Sequence, residues 1–208
     1  WNTTTETLGS HTLAATAYDA AGLSRTSTPV VVQVVASTPG SAVYDAVLKA
    51  PRCSGPGSSC DSGTLLVGCG TRGPEPNQPN TIAGSCADGT GGTFHADESN
   101  DRIKVSTLDG SALAAGKTVR IEATVWAYSG FSSDKLDLYY TANAASPVWT
   151  FLATLSPTAA GAQVLSATYT LPTGSLQAVR ARFRYGGSAI ACGTGTFNDH
   201  DDLIFEVP

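Results

Sequence analysis

Two stretches of the chain alternate apolar and polar residues without a break. Val119, Ile121, Ala123 and Val125 alternate with Arg120, Glu122, Thr124 and Trp126. Val179, Ala181, Phe183 and Tyr185 alternate with Arg180, Arg182 and Arg184. A strict period of two marks a strand with one face buried. These two patterns predict strands over residues 117–127 and 178–185. Weaker forms of the pattern predict strands over 43–49, 64–67, 102–106, 136–141, 148–155, 164–171 and 203–207. No stretch carries a sustained helical period. About nine strands with polar outer faces predict an all-β fold, a two-sheet jelly-roll sandwich, over residues 41–208.

Residues 1–36 read differently. Leu13, Ala15 and Ala17 alternate with Thr12, Ala14 and Thr16, Asp19-Ala20-Ala21-Gly22 is a turn, and Pro29 to Val35 is β-branched. That is about three strands, where an immunoglobulin-like domain needs about seven. The segment is expected to be the C-terminal part of an immunoglobulin-like spacer. Ser37-Thr38-Pro39-Gly40 is expected to be a linker by its turn chemistry. The chain opens at Trp1 with neither a methionine nor a signal peptide, which predicts a covalently attached parent protein upstream.

Composition narrows the function. Charged residues make up 14% of the chain, against roughly 25% in ordinary soluble proteins. The net charge is −5 with no basic run, which argues against nucleic acid as a partner. No segment approaches the roughly 18–20 apolar residues of a membrane-spanning helix. The five cysteines lie in Gly-, Ser-, Pro- and Thr-rich segments and form no CxxC pair. Disulfides in a secreted or cell-surface protein are the better reading than a zinc ribbon. Cys53 is expected to pair with Cys60 across a short loop, and Cys86 with Cys192 across distant loops. Cys69 is left over, to be free, buried or bonded to another chain. Residues 51–101 hold four of the cysteines, Gly73-Pro74-Glu75-Pro76-Asn77 and many glycines. Such a long excursion is either a stapled surface loop or a functional element.

Two acidic segments stand out, Asp97-Glu98-Ser99-Asn100-Asp101 and Asn198-Asp199-His200-Asp201-Asp202, each directly before a short apolar run. Read as loops at one edge of the sandwich, they offer Asp97, Asp101, Asp199 and Asp202 as oxygen ligands for Ca2+. The competing reading is a solvated acidic turn. Zinc at His95 and His200 is a weaker option, since the spacings fit no hydrolase signature. Cys60-Asp61-Ser62-Gly63 only faintly resembles a serine-nucleophile segment, and no GxSxG elbow is present. No catalytic residue is assigned. On the outward strand faces, Trp126 and the row Arg180, Arg182 and Arg184 are candidate ligand-binding residues for an extracellular polymer, by stacking and carboxylate pairing. The alternative is an ordinary sheet face with cross-strand ion pairs.

The segment 1–36 resembles the end of bacterial immunoglobulin-like spacer modules. The matching residues are Trp1-Asn2-Thr3-Thr4, Gly9-Ser10-His11-Thr12-Leu13, Ala17-Tyr18-Asp19-Ala20-Ala21-Gly22 and Val30 to Val34. Residues 41–208 resemble the β-sandwich appended to secreted hydrolases, chiefly proteases, of myxobacterial-type bacteria. That resemblance rests on Ala46-Val47-Leu48-Lys49-Ala50-Pro51-Arg52-Cys53, residues 73–82, Phe94-His95 with residues 97–102, and Asp199-His200-Asp201-Asp202-Leu203. It implies a secreted, non-catalytic accessory region that binds substrate polymer, protein or polysaccharide, or stabilises a parent enzyme. A cell-surface carbohydrate-binding or adhesion module is the alternative, and an independent hydrolase the third reading.

Overall fold

The computed structural model of the chain describes residues 6–7, 9–34, 38–70 and 72–208. Residues 1–5, 8 and 35–37 of the expected spacer and linker lie outside them. The chain divides into two compact units, Trp1–Ser37 and Thr38–Pro208.

The first unit contains β1 (Gly9–Leu13), β2 (Thr16–Tyr18), β3 (Ser24–Thr26) and β4 (Val30–Val34). β1 pairs antiparallel with β4, and β2 with β3. The β2–β3 turn is closed by Asp19, whose Oδ1 accepts the N–H groups of Ala21 and Leu23 at 2.9 Å each. A short polar side chain that bonds its own backbone is the usual device for such a turn.

The second unit is a β-sandwich. It runs through β5 (Thr38–Ser41), β6 (Val43–Asp45), β7 (Ala50–Cys53), β8 (Gly57–Asp61), β9 (Ser99–Thr107), β10 (Thr118–Ala127), β11 (Asp134–Thr141), β12 (Thr150–Leu155), β13 (Gly161–Thr170), β14 (Leu176–Tyr185) and β15 (Asp199–Glu206). One sheet has the order β13-β10-β9-β8-β5, the other β12-β11-β14-β15-β7-β6. Pairing is antiparallel except for β5 on β8 and β15 on β7. The inner faces share one core. Ile103, Val105, Ile121 and Val125 from the first sheet meet Leu136, Leu138, Phe183, Leu203 and Phe205 from the second, all fully buried. Each such side chain contributes about 1.5–3 kcal/mol by leaving water. Among the described residues, no helix is long and apolar enough to cross a membrane.

Several expectations are corrected. Residues 38–40, read as linker, belong to the strand Thr38–Ser41. β7 and β8 lie inside the supposed excursion; they are rich in Pro, Gly, Ser and Cys and show no alternation. The Cys53–Cys60 disulfide joins them. Residues 64–67 form a turn rather than a strand, although Leu66 is buried in the core. Most of the two acidic segments is strand rather than loop, at the starts of β9 and β15. That difference decides where their side chains point.

Candidate functional site

Successive side chains of a strand point to opposite faces. On β15, Leu203 and Phe205 join the core between the sheets, whereas Ile204 packs with Ala50, Ile82 and Ala178 on the other side of its sheet. Alternation therefore turns Asp199 and Asp201 inward and His200 and Asp202 outward. All four are completely buried.

The inward carboxylates meet β9. Its register against β10 shifts by one residue near Asp101, so Ile103 lies opposite Ala123 but Asn100 lies opposite Val125. Such a bulge re-aims the side chains beyond it. Here it turns Asn100 into the end of the core. The Asn100 backbone N–H donates to Asp199 at 2.6 Å, and its side-chain Nδ2 donates to Asp201 at 2.8 Å.

Two carboxylates from the excursion complete the group. Glu75, Asp88 and Asp199 each place an oxygen within 4.8 Å of the others, the one such trio among the described residues. Glu75 accepts from the backbone N–H of Gly70 at 2.7 Å and from the Asn80 amide. Asp88 accepts from the backbone N–H of His200 at 3.0 Å. One oxygen each of Asp88, Asp199 and Asp201, and the Asn100 side-chain oxygen Oδ1, are buried without a hydrogen-bond donor. Burial raises the affinity of these carboxyls for protons. It pushes Glu75 up to about 7 and, with the Glu75 charge beside it, Asp88 up to about 8. Asp199 and Asp201 are raised well above the usual range by burial and by their neighbours' charges. Arg72 offsets Glu75 and Asp88 only in part. Converging carboxylates, three of them with an orphaned oxygen, need protons or a cation among them at neutral pH.

The four aspartates expected as ligands are distributed unequally. Asp199 belongs to the cluster. Asp101 lies close enough for its charge to raise the Asp199 pKa, but it accepts from His95 at 2.9 Å, Ser99 at 2.8 Å and Gly68 at 3.2 Å. Asp97 closes a turn by accepting the Thr93 N–H at 2.6 Å. Asp202 faces the opposite side of the sheet, where Arg180 donates to it at 2.7 and 2.8 Å and the Ile82 N–H at 2.7 Å. Glu75, Asp88 and Asn100 were not singled out from sequence. Their signal was the presence of carboxylates in a Gly- and Cys-rich excursion of a chain poor in charge.

The histidines are separated in role. His200 is buried, accepts the Gly193 N–H at 3.3 Å, and is held neutral, with its pKa lowered to about 3 by burial and by the charges of Arg182 and Arg180. His95 lies between Phe94 and Trp126, with ring centroids 3.9 and 4.3 Å away.

The outward arginine platform is corrected. Arg180, Arg182 and Arg184 do share one strand face, but each is at most 4% exposed. Residues 85–86 and 186–191 lie over them. Arg180 donates to the Ala191 carbonyl at 3.1 Å and stacks on Trp149 at 4.3 Å, Arg182 donates to the Ser188 carbonyl at 2.9 Å, and Arg184 donates to Asp137 and to the Gly187 carbonyl at 2.8 Å. Trp126 sits on β10 in the other sheet, so it cannot adjoin this row.

The cysteine pairs are as expected, Cys53–Cys60 and Cys86–Cys192. Cys69 is a buried free thiol. It donates to the Asn198 carbonyl at 3.4 Å and accepts from Arg72. Burial, and then the charges of Asp199 and Asp88, push its pKa far up. No protein-family model matches the chain and no curated protein matches it in sequence, so the carboxylate cluster stands on its own geometry.

Proposed function

We propose that this chain is a secreted, non-catalytic accessory module whose jelly-roll-like sandwich is stabilised by Ca2+. The carrying observation is the buried trio of Glu75, Asp88 and Asp199, with the Asp201 carboxylate beside it. Oxygens that share one Ca2+ at about 2.4 Å lie within about 4.8 Å of one another, and the trio meets that limit. The Asn100 side-chain oxygen Oδ1 is a further hard donor nearby, buried and without a hydrogen bond of its own. The set contains oxygen only, which favours Ca2+ over zinc or copper. Two disulfides suit an oxidising compartment. The role is to stabilise a larger secreted hydrolase to which the module is attached.

Calorimetric titration and metal analysis test this reading. One Ca2+ per chain is expected, with a higher melting temperature when it is bound. A protein that takes up no Ca2+ and melts identically in chelator overturns the reading.

A second reading, attachment to an extracellular polymer, rests on one observation. Phe94, His95 and Trp126 form a continuous ring stack whose outer ring, Phe94, is 39% exposed. Such rings stack on sugars and on peptide side chains.

A further inference from the structure

We propose that the cation is also a clamp: it closes residues 68–79 over the end of the sandwich, and its loss opens that segment and exposes the Cys69 thiol. This inference rests on the calcium reading above. It follows from asking which of the carboxylate-bearing elements yields when the ion leaves.

Asp199 and Asp201 cannot move away. They belong to β15, which pairs along its length with β14 and at its end with β7. Asp88 is held by its neighbours. The Cys86–Cys192 disulfide anchors the chain two residues before it. The Gly89 N–H donates to the Asn198 carbonyl at 2.7 Å, and the Gly91 N–H to the Thr196 carbonyl at 2.9 Å. Residues 80–82 are pinned independently, by the Asp202 N–H to the Asn80 carbonyl at 3.0 Å and by the Ile82 N–H to the Asp202 carboxylate at 2.7 Å.

Glu75 is the exception. The described residues of its segment, 68–70 and 72–79, contain no strand. Its hydrogen bonds to the rest of the unit are few: the Gly68 N–H to Asp101 at 3.2 Å, the Cys69 thiol to Asn198 at 3.4 Å, Arg72 to the Gly89 carbonyl at 3.5 Å, and the Asn80 amide to Glu75 itself. Glu75 in turn holds the Gly70 N–H. Without a cation the carboxyls either take up protons or separate, and the one that separates is on the most weakly tied element. Expelling Glu75 releases Gly70, and Cys69 is the next residue. The least stable part of a fold opens first, as a local unit. A buried neutral thiol is unreactive; the same thiol in water is not.

The test uses the intact chain, in which Cys69 is the one free thiol among the described residues. Its rate of reaction with a maleimide is measured in Ca2+ and in chelator, with amide hydrogen exchange followed in parallel. Chelation is expected to accelerate labelling at least about tenfold and to remove protection from residues 68–79, while β14 and β15 stay protected. Glu75→Gln, which weakens the site, is expected to label at one rate with and without Ca2+. If Ca2+ binds in calorimetry but leaves the labelling rate unchanged, the clamp is overturned and the calcium reading survives. The clamp is equally overturned if chelation exposes Cys69 only when β14 and β15 exchange at the same rate. A protein that binds no Ca2+ overturns both.

Discussion

Asn100 and Asp199 are 99 residues apart, and the backbone N–H of Asn100 donates to the Asp199 carboxylate at 2.6 Å. This bond joins the two acidic segments inside the sandwich, one from each sheet. It also divides the aspartates of β15 into two roles. Asp199 and Asp201 face Asn100 and the excursion carboxylates, whereas Asp202 belongs to Arg180.

The two roles predict opposite phenotypes. Ca2+ at a hundredfold excess over its dissociation constant stabilises the folded state by about 2.7 kcal/mol. For a domain of this size that is a rise of roughly 5–10 °C in melting temperature. Asp199→Asn is expected to abolish the rise, and Mg2+ to replace Ca2+ poorly because it demands a tighter octahedron. Differential scanning calorimetry reads both.

Asp202→Ala is expected to lower stability with and without Ca2+ while leaving the Ca2+-induced rise in place. The substitution strands the Arg180 guanidinium, 1% exposed, beside an apolar side chain. Breaking one partner of a buried ion pair costs about 3–5 kcal/mol. Urea denaturation of the variant in Ca2+ and in chelator checks the prediction, and a Ca2+ response lost in this variant would contradict it.

The pair Glu98 and Asp134 predicts a pH dependence. Burial, together with a hydrogen bond to Asp134, raises Glu98 to about 7, and burial raises Asp134 too. Their folded pKa values lie above the unfolded ones, so their contribution is complete below about pH 4.5 and is lost as the pH rises towards about 7. In saturating Ca2+, stability is expected to fall across that window. Glu98→Gln should flatten the profile, and an unchanged slope in this variant would rule the pair out as its source.

The disulfides differ in the loops they close. Cys86 and Cys192 are separated by 106 residues, Cys53 and Cys60 by 7. Chain entropy assigns about 4.7 kcal/mol to a loop near the first length and about 2–3 kcal/mol to the second. Replacing Cys86 and Cys192 by serine is expected to cost more than replacing Cys53 and Cys60, as read from denaturation midpoints. Non-reducing peptide mapping should recover both bridges and an unbridged Cys69.

Trp126→Ala tests polymer attachment. It removes the half-buried ring on which His95 stacks at 4.3 Å. If the stack is a platform, pull-down on insoluble protein or polysaccharide should drop while the melting temperature barely changes. Retention equal to that of the unmodified chain would dismiss this surface.

The strand pattern was legible along the chain because burial on one face imposes a period of two over five or more residues. Residues 119–125 and 179–185 show it without interruption, and β10 and β14 lie where it predicts. That the cysteines form disulfides was also legible, from their turn-rich segments, whereas the fold decides which cysteine meets which. What the pattern could not show is which cover lies on each face. Alternation says that Arg180, Arg182 and Arg184 oppose Val179, Ala181 and Phe183. It does not say that residues 85–86, distant in sequence, and the loop 186–191, which follows β14, fold back over those arginines, because neither carries an alternating pattern. The cluster was hidden for the same reason. Its carboxylates come from positions 75, 88 and 199, and a one-residue bulge near Asp101 turns Asn100 inward to bond Asp199 and the neighbouring Asp201. A bulge reverses the facing of every residue beyond it yet leaves the local composition unchanged, so the tertiary structure alone decided which acidic residues share a site.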